Sequence, residues 1–190
     1  MGKVLIAFAS REGQTRRICA RIASCLADRG HPSDLLDLTA GAPVPDIEFV
    51  SSVIVAGSIH RGRTDQALSR FLMCYAPRLA RLPSAYVSVS LSAASPNSDA
   101  RHAVDEIARH MLHEVGWHPD FMEHVAGAVE PQSLGLLERC AVHAVTRHRG
   151  IDVADDGRTE LTDWDAVDAF VDRFAARLPK PRNGATAPAS

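Results

Sequence analysis

Short apolar runs alternate with longer amphipathic patterns along this chain, and this alternation constrains the fold more than any other feature of the sequence. Apolar segments of strand length lie at residues 3–9, 33–38, 52–58, 84–91 and 121–129. Helical spacing of apolar residues begins near residues 13, 64, 99, 133 and 162. Such a chain is expected to be an α/β protein, with an open parallel sheet covered by helices on both faces.

Residues at the ends of the helical patterns predict where helices stop and start, and one long connection predicts an additional helix. Gly30 follows the first helical pattern and is expected to stop that helix. The segment "TDWD" at residues 162–165 is a capping-box pattern at the start of the last helix. The connection at residues 130–162 is too long for a simple loop, and its residues 133–148 have helical spacing. An additional amphipathic helix is expected there, either packed on the core or contacting a membrane or substrate.

Length and composition point to one domain. The chain has 190 residues, of which 46% are apolar, enough for one full core. We expect the domain to span residues 1–178, with an additional helical segment at about 130–162 and a flexible tail at 179–190. A net charge of −2 gives no overall attraction for nucleic acid. Four cysteines without a C-x-x-C pair suggest a reducing cytoplasm, and no apolar run reaches the about 20 residues that span a bilayer.

The segment "SREGQT", residues 10–15, connects the first predicted strand to the first predicted helix. Its form S-x-x-G-x-T lets backbone amides and two hydroxyl groups surround a phosphate, while Gly13 permits close approach. A nucleoside triphosphate would require a following Lys-Ser/Thr pair, which is absent, as is the dinucleotide fingerprint G-x-G-x-x-G. The loop therefore predicts a site for a single phosphate monoester.

Two further loops, residues 58–63 and 92–98, are expected at the same edge of the sheet as residues 10–15. All three follow predicted parallel strands, and ligands of open α/β sheets bind beyond the carboxyl ends of the strands. All three loops are also poor in bulky side chains. The sequence therefore predicts one ligand site bounded by three loops.

With "SREGQT" as its first loop, the sequence resembles the flavodoxin-like fold, in which this loop holds the phosphate of FMN. Four further segments strengthen a more specific resemblance: "AGSIHRGR", "PSAYVSVSL", "GWHPDFMEHVAGAV" and "TDWDAV". In combination, the segments resemble the menaquinone-dependent protoporphyrinogen IX dehydrogenases of bacterial haem synthesis. The similarity is colinear over residues 4–178, and it includes the additional segment before the last helix, which ordinary flavodoxins lack there.

The resemblance implies a flavodoxin-like sheet of five parallel strands in the order 2-1-3-4-5, with FMN as the cofactor. It implies a flavin-dependent oxidoreductase that oxidises protoporphyrinogen IX to protoporphyrin IX in haem biosynthesis, with a quinone, menaquinone, as the electron acceptor. The flavin carries the difficult step, so no acid-base triad is required. The implied location is the cytoplasm; a peripheral contact with the inner face of the cell membrane and a homodimer both stay open.

The resemblance also implies which residues form the site. The FMN phosphate would be enclosed by Ser10, Arg11, Glu12, Gly13, Gln14 and Thr15. The isoalloxazine ring would be flanked by Ser58, Ile59, His60, Arg61 and Gly62 on one side, and by Ser90, Leu91, Ser92, Ala93 and Ala94 on the other. The family usually has an aromatic side chain in these ring-flanking loops, whereas this chain has only His60. Stacking on the ring is therefore expected to be weaker.

Three side chains supply positive charge close to the expected flavin: His60, Arg61 and Arg63. Positive charge near a reduced flavin raises its reduction potential, which favours an enzyme that reduces a quinone over a low-potential electron carrier. Arg61 and Arg63 are also candidate anchors for the two substrate propionates, because arginine binds carboxylates through paired hydrogen bonds. His60 is a candidate catalytic residue that relays a proton. Solvated side chains without contacts are the alternative for all three residues.

Other functions are weaker alternatives. A soluble flavodoxin-type electron carrier and an NAD(P)H:quinone reductase both stay open. A metal site is suggested by the histidines at positions 102, 110, 113, 118 and 124, but such spacing is common on surface helices, and no metal is expected. The hydrolase motifs H-E-x-x-H and G-x-S-x-G are absent.

Overall fold

A computed structural model of the chain describes residues 2–60, 62–129 and 159–179. Its strands in chain order are β1 (Lys3–Ala9), β2 (Ser33–Asp37), β3 (Val50–His60), β4 (Arg63–Thr64), β5 (Ser84–Ser90), β6 (Phe121–Ala126), β7 (Ala128–Val129) and β8 (Thr159–Glu160). The main sheet has the order β2-β1-β3-β5-β6, and its strand pairs are parallel. With the two-residue strand β4 set aside, this is the predicted order 2-1-3-4-5. The predicted fold class is therefore confirmed.

Within the described residues, four helices lie on the two faces of this sheet: α1 (Gln14–Asp28), α2 (Gln66–Leu79), α3 (Ser98–Glu114) and α4 (Trp164–Ala175). Short 3-10 turns occur at Ile47–Phe49 and Ser92–Ala94. The additional helix predicted at residues 133–148 lies outside the described residues, as does the predicted tail from residue 180 onward. Within the described ranges, no helix has both the length and the apolar character that crossing a bilayer requires.

The two helical layers pack on alternate residues of the same strands. Val4, Ile6 and Phe8 of β1 face α1 and α4, where Phe170 and Phe174 are fully buried. Leu5 and Ala7 point to the opposite face, toward α2 and α3. Burial on both faces explains why the strands appear in the sequence as continuous apolar runs rather than alternating ones. It also fixes the strand register, because a slip of one residue would exchange the two faces.

The region after β3 differs from its sequence prediction. The third strand was expected to end at Ser58, and a helix was expected from about Thr64. Instead β3 continues to His60 and pairs antiparallel with β4, with His60 opposite Arg63 and Ile59 opposite Thr64. Helix α2 begins two residues later, because Asp65 is its N-cap and accepts a 2.8 Å hydrogen bond from the amide of Ala67.

The fifth predicted strand, residues 121–129, is interrupted at Gly127. Parallel pairing with β5 ends at Ala126, and the next two residues form β7, which pairs antiparallel with β8. Strands β7 and β8 thus form a separate two-stranded sheet. Residues 130–158, which connect β7 to β8, lie outside the described residues.

The start of the last helix is shifted by one residue from the capping-box prediction. Asp163 is the N-cap of α4 and accepts a 2.9 Å hydrogen bond from the amide of Ala166. The hydroxyl of Thr162 instead donates a 2.7 Å hydrogen bond to the carbonyl of Ala126 at the end of β6. Thr162 therefore joins the helix to the sheet rather than capping it.

Candidate functional site

The three predicted loops leave adjacent parallel strands at one edge of the sheet. Ala9 at the end of β1 lies opposite Gly57 of β3, and Gly57 lies opposite Ser88 of β5. The segments that follow these positions therefore start side by side. This is the carboxyl edge of the sheet, where open α/β folds bind ligands.

The first loop presents the beginning of α1 without a side-chain cap. Gly13 is the N-cap residue with φ of 84°, in the left-handed region, and no side chain caps the helix there. A Cβ added at Gly13 would meet nothing within 4 Å, so the space beside this residue is open. The Ser10 hydroxyl accepts a 3.3 Å hydrogen bond from the amide of Arg16. A helix start whose N-cap residue is a glycine beside open space fits a phosphate group, because the first turn of a helix carries partial positive charge.

An ion pair joins the first loop to the start of α2. The Nε of Arg11 donates a 2.7 Å hydrogen bond to Oδ2 of Asp65, whose other oxygen caps α2. Burial would raise the pKa of the Asp65 carboxyl, but hydrogen bonds from the Ala67 amide and the Arg11 guanidinium hold that pKa below its usual range. Deprotonated Asp65 thus holds the first loop against the start of α2.

The side chain of Gln14 points away from the open space beside Gly13. Its Nε2 donates hydrogen bonds to Oε1 of Glu160 at 2.7 Å and to Oγ1 of Thr162 at 2.8 Å. Gln14 is 6% exposed. Any contact of Gln14 with a phosphate would therefore come from its backbone amide, not from its side chain.

The second loop is the tight hairpin between β3 and β4. Ile59 is buried, whereas His60 is exposed and its Nε2 lies 3.9 Å from Oε2 of Glu12 in the first loop. Gly62 has φ of 74°, which a two-residue hairpin turn with glycine accommodates. Arg63 is exposed in β4. Arg61, predicted here as both a flavin and a substrate contact, lies outside the described residues.

The third loop follows β5, which ends at Ser90, and begins with the 3-10 turn Ser92–Ala94. The Ser90 hydroxyl accepts a 3.2 Å hydrogen bond from the amide of Ala93, which closes the turn. Ala94 is buried, and Leu91 and Ala93 pack beside it in a small apolar cluster. The two segments predicted to flank the ring therefore lie at the ends of neighbouring strands, β3 and β5.

Sequence reasoning missed Asp65, Glu160 and Thr162 as parts of this site. Asp65 directly precedes a helical pattern, so the N-cap preference of aspartate could have revealed its first role. Nothing in the local sequence connects Glu160 to Gln14, because the two residues lie 146 positions apart. Only the fold brings them together.

A second polar cluster lies beneath the third loop. The hydroxyl of Ser88 is 2.5 Å from Nδ1 of His124, and Nε2 of His124 is 3.1 Å from Oδ1 of Asp105. A hydrogen bond from Arg109, with a smaller contribution from His124, holds the pKa of Asp105 below its usual range against the effect of burial. Ser88 is fully buried within the sheet. This Ser, His and Asp arrangement therefore fixes β6 and α3 and offers no accessible nucleophile.

Two of the other histidines considered as metal ligands also have carboxylate neighbours. His102 lies 3.4 Å from Glu106, and His110 lies 3.4 Å from Glu114, each one turn along α3. Among the residues that the structure describes, no group of three or more His, Cys, Asp or Glu side chains is placed to hold a metal ion.

The chain is similar to proteins of known class. The flavodoxin domain family matches residues 5–154. A protoporphyrinogen IX dehydrogenase [quinone] of Escherichia coli strain K12 is 30% identical over 179 residues, covering 94% of this chain and 98% of that protein. One from Leishmania major is 25% identical over 92% of this chain and 75% of that protein.

A solved structure, the flavodoxin of Streptococcus pneumonia TIGR4, superposes with a TM-score of 0.58 at 18% identity, over 93% of this chain and 100% of that one. At this identity the likeness shows the fold alone. The sequence relationship is closer, since the Escherichia coli protein is matched over almost its whole length. The chain thus belongs to the flavodoxin domain family and, within it, to the protoporphyrinogen IX dehydrogenases [quinone], a family of oxidoreductases.

Proposed function

We propose that this protein is an FMN-dependent enzyme that oxidises protoporphyrinogen IX to protoporphyrin IX and passes the electrons to a quinone, with menaquinone as the physiological acceptor. Membership in the dehydrogenase family supports the reaction. The structural observation that carries the cofactor assignment is the uncapped start of α1 beside the open space at Gly13. That feature fits a phosphate monoester such as the one on FMN.

Residues 10–15 hold the FMN phosphate in this proposal. The backbone amides from Gly13 to Thr15 and the hydroxyl of Ser10 are the donors at the start of α1. Arg11 keeps the loop in place through Asp65, so its contribution is to the shape of the loop rather than to direct charge pairing. Because Gly13 has no Cβ, the phosphate can approach the backbone closely.

Residues 58–62 and 90–94 flank the isoalloxazine ring. FMN, when bound, supplies two-electron chemistry by accepting hydride equivalents from the porphyrinogen. The turn at Ser90 presents backbone groups that can bind the polar edge of the ring. Small side chains such as Ala93 leave room for a flat ligand. The absence of an aromatic side chain from residues 90–98 leaves one face of the ring without a stacking partner from this loop.

Positive charge at the hairpin orients the substrate and favours electron uptake. Arg63 is exposed beside the site, and together with Arg61 it binds the propionates of protoporphyrinogen IX. His60 relays protons released from the pyrrole nitrogens, with Glu12 at 3.9 Å as the neighbouring carboxylate. Both arginines also favour the reduced form of the flavin by opposing its negative charge.

The cellular setting completes the proposal. The protein works in the cytoplasm, in haem biosynthesis, and meets its membrane-dissolved quinone by peripheral contact with the inner face of the cell membrane. The main support for this contact is the quinone named for the family's members. A homodimer is the oligomeric state to test alongside the activity.

The direct test is turnover under strictly anaerobic conditions. FMN-loaded protein is mixed with protoporphyrinogen IX and menaquinone, and the porphyrin product is followed by its fluorescence. We expect turnover that requires both FMN and quinone. Absence of turnover, with rapid flavin reduction by NAD(P)H, would instead identify an NAD(P)H:quinone reductase. A flavin midpoint potential far below that of menaquinone would identify an electron carrier.

A further inference from the structure

Residues 159–162, here called the return segment, contact both the end of the main sheet near Ser90 and the first residue of α1. Its first two residues form β8, which pairs with β7. The amide of Leu161 donates a 3.1 Å hydrogen bond to the carbonyl of Gly127, and the amide of Gly127 donates one of 3.2 Å to the carbonyl of Ser90. The return segment is thus attached to the end of the sheet beside the third loop.

The same segment holds the first residue of α1. Gln14 Nε2 donates to both Glu160 and Thr162, at 2.7 and 2.8 Å. Arg17, one turn further along α1, donates a 2.9 Å hydrogen bond to the second carboxylate oxygen of Glu160. The Arg17 guanidinium also lies over the ring of Trp164, at 5.9 Å from its centroid. Both oxygens of Glu160 are therefore bound by side chains from the first two turns of α1.

Thr162 connects Gln14 to the end of β6. Its hydroxyl accepts from Gln14 and donates to the carbonyl of Ala126, at the last position of β6. Gln14 and Thr162 are 6% and 9% exposed, respectively. The hydrogen bonds of Thr162 with Gln14 and with Ala126 are buried, and such paired bonds fix the groups they join, because breaking one bond leaves a desolvated partner. The network therefore determines where the first turn of α1 sits relative to the sheet.

We propose that Glu160 and Thr162 are positioning residues for phosphate recognition, acting through Gln14. The amides that meet the phosphate belong to the same helical turn as Gln14, so displacement of that side chain tilts the donors away from the ligand. Glu160 does not attract the phosphate by charge, since a carboxylate repels it. Its charge is compensated by Arg17, and its contribution is geometric. The inference rests on the proposed function, in which residues 10–15 hold the phosphate of FMN.

The test compares two ligands that differ only in the phosphate. Apo protein is titrated with FMN and with riboflavin, and binding is followed by quenching of flavin fluorescence. Glu160→Ala is expected to weaken FMN binding about tenfold, the equivalent of losing one partly buried hydrogen bond to a charged group, while riboflavin binding changes less than about twofold. Glu160→Gln keeps an acceptor for Gln14 and is expected to restore most of the FMN affinity.

Asp168→Ala is the matched control. Asp168 also forms an ion pair with an α1 arginine, Arg21, but away from the first turn. This variant is expected to keep the wild-type ratio of FMN to riboflavin affinity. If Glu160→Ala does not fold, Thr162→Val carries the same test, because it keeps the side-chain volume and removes the Oγ1 acceptor.

The outcomes separate this inference from the proposed function. If the wild-type protein binds FMN no more tightly than riboflavin, the phosphate assignment fails, and the inference fails with it. If the wild type prefers FMN and the Glu160 and Thr162 variants keep that preference, the inference alone is overturned. An equal loss of affinity for both ligands would also overturn it, since it would show general damage to the site.

Discussion

The guanidinium of Arg11 meets the carboxylate of Asp65 at 2.7 Å, and Asp65 is at the same time the N-cap of α2. One carboxylate therefore joins the loop after β1 to the helix after β3. Asp65 is 9% exposed at its side chain, whereas Arg11 is 71% exposed. The cap and the ion pair consequently differ in how strongly solvent weakens them, and the two contributions can be separated by mutation.

Replacement of Asp65 by Ala is expected to lower the free energy of unfolding at pH 7 by about 1 kcal/mol, because the cap is lost. Asp65→Asn should cost less, since asparagine also caps helices. Urea unfolding of both variants measures the difference. Equal losses in the two variants would mean that the ion pair, not the cap, carries the stability.

The lowered pKa of Asp65 predicts that the stability of the protein depends on pH. The folded-state pKa of Asp65 is depressed, so its contribution is present above the unfolded pKa and is lost as the pH falls through the folded pKa. Wild type is therefore expected to lose more stability than Asp65→Asn on acidification from pH 5 to about pH 3. Parallel acid curves for the two proteins would contradict this assignment.

Gly13→Ala separates backbone strain from ligand contact, and Gly41→Ala is its matched control. Both glycines have positive φ, 84° and 68°, and an added Cβ meets nothing within 4 Å at either position. Both variants should lose about 1 kcal/mol of unfolding free energy. Only Gly13→Ala should also weaken FMN binding to the folded protein, by about tenfold or more, because the methyl group enters the phosphate space. FMN affinities that fall equally in both variants would place the phosphate elsewhere.

Arg63→Ala tests the role of the hairpin charge. Loss of this exposed charge should lower the flavin midpoint potential and raise the KM for protoporphyrinogen IX by about threefold. The combined replacement of Arg61 and Arg63 should give larger changes in the same directions. Arg78→Ala, at the exposed far end of α2, is the control and should change neither quantity. If the double variant also changes neither, the hairpin contacts neither flavin nor substrate.

Tyr86→Phe is expected to stabilise the protein. The ring of Tyr86 is fully buried in β5, and its hydroxyl has no hydrogen-bond partner among the residues described by the structure. Burial raises the pKa of this hydroxyl. Removing the desolvated hydroxyl should raise the free energy of unfolding by about 1 kcal/mol in a urea titration. Tyr75→Phe on the half-buried face of α2 should have little effect. A loss of stability in Tyr86→Phe would mean that the hydroxyl does have a partner.

The sheet could be predicted from the sequence because the central strands β1, β3 and β5 are apolar on both faces and most of the connections between strands have helical spacing. Val4, Ile6 and Phe8 pack on one layer while Leu5 and Ala7 pack on the other, which produces the uninterrupted run in the sequence. The position of the loop at residues 10–15, between β1 and α1, could be predicted for a related reason. Its small residues lie between two strong patterns, and the position of Gly13 follows from the turn that joins them.

The features of the fold and of the candidate site that were not predicted depend on contacts that the local sequence does not encode. The hairpin after β3 was missed because His60 and Arg63 look like polar loop residues, although a two-residue turn with Gly62 is a known hairpin signal. The role of Thr162 was misassigned because its spacing fits a capping box, whereas Asp163 takes the cap and Thr162 binds the carbonyl of Ala126. The contact of Glu160 with Gln14 joins residues 146 positions apart, which no local spacing reveals.

The proposed function requires a flavin that protoporphyrinogen IX reduces and a quinone reoxidises. Both steps are visible in the absorption spectrum of the FMN-loaded protein during anaerobic mixing with protoporphyrinogen IX, followed by addition of menaquinone. We expect bleaching of the flavin absorbance in the first step and its recovery in the second. A flavin spectrum that stays unchanged with the porphyrinogen, in protein that binds FMN tightly, would contradict it.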